Sequence, residues 1–105
     1  MRPELMAEPM AGSMARPKAE ALAVRALAWM ACDAELVGRF LAMTGAGPGD
    51  LRSRAAEPEF LGFVLDFLLS DEVALIAFAA AENIRPEQPM RARAALPGGD
   101  LPNWT

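Results

Sequence analysis

The chain has 105 residues, a formal net charge of -4, no His and no Tyr, and an apolar fraction of 53% carried largely by Ala and Leu. That length fits one compact domain, and the acidic balance leaves no global basic field for nucleic acid or an anionic membrane. The lack of His removes Ser–His and Cys–His pairs and His-based metal sites, while Ala and Leu, the leading helix formers, point to an all-α fold.

Residues 1–16 contain Pro3, Pro9, Gly12, Ser13 and four methionines without apolar periodicity, so a disordered segment is expected there. With Glu4 and Glu8 and no apolar core it does not read as a signal peptide. Met14 offers an alternative start just ahead of the helical pattern. The helical domain is expected over residues 17–96. Gly98, Gly99 and Pro102 mark residues 97–105 as an extended tail.

Six helices are predicted. The first runs from about Pro17 to Ala31, with Pro17 in its opening turn and Leu22, Ala26, Trp29 and Met30 on one face. Asp33 caps the second by accepting backbone N–H groups. Leu36, Val37, Phe40 and Met43 form its inner stripe, Glu35, Arg39 and Ala42 its outer one, and Gly45 ends it. A short third helix spans Pro48 to Ala56. Pro58 opens the fourth, whose Phe60, Leu61, Val64, Leu65, Phe67 and Leu68 pack inward. Its Glu59, Gly62, Asp66 and Ser70 make a polar stripe, which leaves Asp66 facing solvent. Asp71 caps the fifth helix and Asn83 closes it. Pro86 begins the sixth, which reaches about Leu96 and tolerates Pro89 in its first turn. The single cysteine, Cys32, has no internal disulfide partner and reads as a small buried apolar side chain in a reducing, cytoplasmic compartment.

The run Phe60–Ala81 has the length of a membrane span, but Asp66, Asp71 and Glu72 lie inside it. A charge at the centre of a span costs about 2.5–3.5 kcal/mol. Two helices joined at Ser70–Asp71 account for the same residues without that cost.

The punctuation also repeats. At an offset of 38 residues, Leu27, Asp33, Phe40, Gly45 and Pro48 align with Leu65, Asp71, Phe78, Asn83 and Pro86. A repeat of this kind predicts one supersecondary unit used twice, here two three-helix units over about 20–57 and 58–95, packed through Trp29, Phe40, Leu65, Leu68 and Phe78. The copies differ on one surface. Where the second helix exposes Glu35, Arg39 and Ala42, the fifth has Val73, Ala77 and Ala80, and it is apolar nearly all round. The favoured explanation places the fifth helix at the centre of the bundle. The alternative is an exposed stripe of Val73, Ala77 and Ala80 that admits a helix of a partner or of a second copy.

No catalytic, cofactor-binding or metal-ligating set stands out. Gly45, Gly47 and Gly49 alternate, but no strand precedes them and no Lys-Ser/Thr follows, so they form no phosphate loop. Each carboxylate is already accounted for as a cap or a solvated face, and an enzyme is not expected. Two corners, Leu41 to Leu51 and Ala79 to Pro89, have the cadence of a helix-turn-helix. The helices that follow them carry Arg52 and Arg54, and Gln88, Arg91 and Arg93, side chains able to reach bases or phosphates. Against this stand Asp50, Glu57, Glu59, Glu87 and the acidic net charge. In the tail, Leu101-Pro102-Asn103-Trp104 reads either as a segment folded back into a groove or as a peptide anchored elsewhere by Trp104.

Several short runs resemble a known family. They are Ala26-Leu27-Ala28-Trp29, Asp33, Arg39-Phe40-Leu41, Thr44-Gly45, Leu51-Arg52, Phe60-Leu61, Val64-Leu65-Asp66-Phe67-Leu68-Leu69, Asp71-Glu72, Pro86-Glu87 and Leu96-Pro97-Gly98-Gly99. Together, over about residues 19–104, they resemble a small bacterial family of unknown function, domain-of-unknown-function family 3572. Val64 to Leu69 is the most specific part, and Asn83 departs from an expected Gly. The resemblance implies a short, helical, cytoplasmic protein and brings no activity, cofactor or site.

The sequence therefore predicts a non-catalytic protein-interaction or adaptor module acting through the fifth helix and the tail. A DNA-binding regulator using the sixth helix is the runner-up.

Overall fold

Helix boundaries fall where the punctuating residues put them. The computed structural model describes residues 14–97, and all regular structure among them is helical. Helix α1 spans Arg16–Ala31, α2 Ala34–Thr44, α3 Leu51–Arg54, α4 Pro58–Leu69, α5 Glu72–Glu82 and α6 Glu87–Ala94, and a 3-10 turn over Pro48–Asp50 leads into α3. Of the start predicted as disordered over residues 1–16, residues 1–13 lie outside the described residues, as does the tail from residue 98 with Trp104; Arg16 instead opens α1, and Met14 packs against the core.

Side-chain chemistry sets these ends. Pro17 and Pro58 stand in the first turns of α1 and α4, where a missing N–H leaves no hydrogen bond unmade. The Asp33 carboxylate accepts from Glu35 N and Leu36 N, both at 3.1 Å, and Asp71 accepts from Ala74 N at 3.1 Å. Gly45 and Asn83 close α2 and α5 in the left-handed region, at φ 80° and 58°. Asn reaches that region more readily than other side-chain-bearing residues. The two halves share this order of caps and stops. Their third helices differ: α3 is a single turn that only half-buries Leu51 against the core, while α6 buries Pro89 and Ala92 against α1 and α4.

The core sits between α1 and α4. On α1, Ala19, Ala23, Ala26 and Met30 are fully enclosed, and three small side chains on one face let neighbouring helices approach closely. Helix α4 buries Phe60, Leu61, Val64, Leu65, Phe67 and Leu68, the six residues predicted to face inward. Phe40 of α2 meets Phe60 and Phe67 edge-on, with ring centroids 5.6 and 5.5 Å apart, the arrangement aromatic quadrupoles favour. Phe40, Leu65, Leu68 and Phe78 have no exposed surface. Trp29 is half-buried at the rim, tilted against Phe78 at 5.6 Å.

Four expectations are corrected. Helix α5 is not central: α4 takes that place, and α5 buries only Ala74, Phe78 and Ala79. Met43 is 55% exposed, because α2 turns only Leu36 and Phe40 fully into the core. Cys32 is exposed, since it follows the last residue of α1, and its thiol donates to Ala28 O at 3.5 Å. Gly62 does not belong to a solvated stripe; it is buried beneath Arg93, whose Nη1 lies 2.9 Å from where a Cβ would stand.

That close approach has a use. Arg93 Nε donates to Asp66 Oδ1 at 2.6 Å, Nη2 to Oδ2 at 3.2 Å, and Nη1 to Pro97 O at 2.9 Å. The paired fork ties α6 to α4 over the bare backbone of Gly62. Gly inside a helix costs about 0.5–1 kcal/mol relative to Ala. Gly62→Ala is therefore expected to stabilise an Arg93→Ala background by about that amount in urea unfolding. With Arg93 present the gain is expected to shrink or reverse, and an equal gain in both backgrounds would show that the glycine serves no such purpose.

Candidate functional site

A helix turns about 100° per residue, so α5 has two distinct sides. Ala74, Phe78 and Ala79 point into the core, and Val73, Ile76, Ala77, Ala80 and Ala81 point away from it. Val73 is 80% and Ile76 51% exposed. No charged side chain interrupts α5 between Glu72 and Glu82. A surface helix normally turns polar residues outward, and single exposed apolar residues are ordinary. A contiguous apolar strip is not, and such strips mark contact surfaces.

Each end of the strip runs into a concavity of different charge. Beside its N-terminal half lies a cleft of about 230 Å³ lined by Trp29, Asp33, Glu35, Leu36, Arg39, Asp71, Val73, Ala74 and Ala77. Arg39 Nη2 donates to Asp71 Oδ2 at 3.2 Å, linking α2 to the start of α5. The Ala74 N–H holds the Asp71 carboxyl below its ordinary value of 3.8; partial burial works the other way, and the Arg39 guanidinium adds to the lowering. Beyond the C-terminal end, two clefts of about 220 and 400 Å³ share Ile84 and Gln88. Their charged lining is Lys18, Arg25 and Arg85, with no carboxylate. Arg25 Nε donates to Glu82 at 2.9 Å, linking α1 to the end of α5.

The sequence-predicted surface residues thus separate. Val73, Ala77 and Ala80 share one open face, whereas Trp104 lies outside the described residues. Ile76 and the cleft at Trp29 belong to the same surface and were not singled out. Ile76 was legible in principle, standing three residues after Val73 on the same side. The cleft was not, because it needs the packing of three helices.

The residues considered for nucleic acid do not converge. Arg93 is held by Asp66 and Pro97 O, with its side chain 16% exposed. Arg54 Nε donates to Glu57 at 3.0 Å, and its guanidinium lies 4.8 Å over the Phe60 ring. Gln88 is half-buried beside Ile84. Arg52 and Arg91 point outward, from α3 and α6. Among the described residues no group of three or more His, Cys, Asp or Glu is placed to hold a metal ion, and no helix is long and apolar enough to cross a membrane.

A family model described as "Protein of unknown function (DUF3572)" matches residues 16–99. No curated protein and no solved structure matches the chain.

Asp71 connects this surface to stability. Its carboxyl is lowered in the folded state, so its contribution is present above the unfolded value of 3.8 and is lost as pH falls through the folded one. Asn retains the cap but not the charge. At about pH 6, Asp71→Asn is expected to unfold at lower urea than the parent, and the gap is expected to close as the pH falls below 3.8 and through the lowered folded value. A gap that does not change with pH would show that the charge contributes nothing.

Proposed function

The chain belongs to the DUF3572 family of proteins of unknown function, and we propose that it acts without catalysis, as a small helical module that binds protein through the outer side of α5. One observation carries this reading: a helix fully formed and capped at both ends presents Val73, Ile76, Ala77, Ala80 and Ala81 outward. The burial of such a strip stabilises a complex by about 25 cal/mol per Å² of apolar surface removed from water. The three clefts at its ends supply the polar rim that specific interfaces place around an apolar centre. An adaptor in a reducing, cytoplasmic compartment fits the single cysteine, which has no partner within the chain. The DNA-binding alternative draws less support, because Arg54 and Arg93 already serve internal pairs.

Affinity purification of the chain from its native cell, compared with Val73→Glu, tests the proposal. Val73 has almost no burial to lose, so the variant is expected to keep the helical circular dichroism of the parent. It is expected to lose at least about tenfold of the bound partner, as follows from placing a charge within an apolar contact. A folded variant that retains every partner removes α5 as the interface.

A further inference from the structure

Helix α4 is enclosed except along one line, where Glu59, Phe63 and Asp66 are exposed. Phe63 is the apolar member of that line, 45% exposed on a helix that buries its other two Phe side chains. We propose that residues 101–104 of the tail, Leu-Pro-Asn-Trp, fold back onto α4 of the same chain and pack against Phe63.

Two helices flank the line. Phe40 of α2 covers α4 at Phe60 and Phe67. On the other side α6 covers Gly62, where Arg93 lies over the backbone and donates to Asp66. At about 100° per residue, Phe63 stands between these two contacts and next to Asp66 on the helix surface. A ring left half in water between two packed helices gains from any apolar segment laid over it.

The chain is delivered to this place. Arg93 Nη1 donates to Pro97 O at 2.9 Å while Nε and Nη2 hold Asp66. The last described residue is thus pinned beside the carboxylate that neighbours Phe63. Pro97-Gly98-Gly99-Asp100 follows, a run of turn formers in which the glycines accept positive φ and let the chain reverse. An extended chain spans at most about 3.3–3.6 Å per residue, so Leu101 reaches about 14 Å from Pro97 and Trp104 about 24 Å.

Charge and tethering favour this target. Asp66 is matched by Arg93, so an apolar segment beside it strands no lone carboxylate. Glu59 is one turn away and exposed, and the tail's own acid, Asp100, falls in the turn. A short tether holds the segment at an effective concentration on the order of millimolar, which an outside occupant of Phe63 must exceed. The contact does not involve α5, so the reading of that helix as an interface stands or falls separately.

Nuclear magnetic resonance of the full chain reads the contact directly. Cross-relaxation between the Trp104 indole and the Phe63 ring protons is expected, and its absence would overturn the proposal. Cross-peaks found only between differently labelled molecules would place the segment on a second copy and overturn it equally. A double-mutant cycle in urea gives an independent reading. Trp104→Ala and Phe63→Ala are each expected to destabilise, with circular dichroism confirming that both fold. The double variant is expected to lose less than the two together, by at least about threefold in the unfolding constant, as for an aromatic pair. Effects that simply add would show that the two rings do not meet, whatever Phe63 contributes within α4.

Discussion

The structure depends on a competition for one central position. Two of its helices, α4 and α5, are apolar over most of their surface, and a bundle of this size encloses only one. Burial stabilises by about 0.8 kcal/mol per CH₂, so the helix with the larger side chains gains more from the centre. Helix α4 brings three Phe and five aliphatic residues, of which Phe60, Leu61, Val64, Leu65, Phe67 and Leu68 are buried. Helix α5 brings mainly Ala, and puts Ala74, Phe78 and Ala79 inward. Once α4 is enclosed by α1, α2, α5 and α6, the outer side of α5 has no neighbour left among the described residues. Its exposed strip follows from the core.

The small residues of α1 make that enclosure close. Ala19, Ala23 and Ala26 have no exposed surface, and they present methyl groups where larger side chains would hold neighbouring helices apart. The ion pairs then orient what the core has packed. Arg25 with Glu82, Arg39 with Asp71 and Arg93 with Asp66 each cross from one helix to another. Pairs this exposed contribute at most about 1 kcal/mol apiece, so their effect is on register more than on total stability. Arg93 is the most enclosed of the three at 16% exposure, and Gly62 is kept bare beneath it.

What was legible in the sequence was local. A carboxylate that caps a helix acts on N–H groups two or three residues away, so Asp33 and Asp71 could be assigned from their neighbours alone. The stops at Gly45 and Asn83 and the starts at Pro17 and Pro58 are equally local. The inward face of α4 was legible because six large apolar residues share it. The errors came from contacts made at a distance. Gly62 looked like part of a polar stripe because nothing near it in the chain announces Arg93, whose partner Asp66 is 27 residues away. Helix α5 looked central because apolar residues on all sides imply burial on all sides, and periodicity does not rank two such helices. The sizes of their side chains do. The candidate surface was visible as Val73, Ala77 and Ala80, but its clefts needed the placement of α1, α2 and α6.

Asp71 shows how the fold and the candidate surface are joined. One of its carboxylate oxygens accepts the Ala74 N–H and starts α5, while the other takes the Arg39 guanidinium of α2. At the far end Glu82 receives Arg25 of α1 before Asn83 stops the helix. The strip from Val73 to Ala80 is thus held between two cross-links, each anchored on a different helix, and its backbone is fixed before any partner arrives. A surface ordered in advance loses little conformational entropy on binding, and that loss is among the main terms opposing association. The constraints that stabilise α5 at the edge of the bundle therefore also lower the cost of covering it.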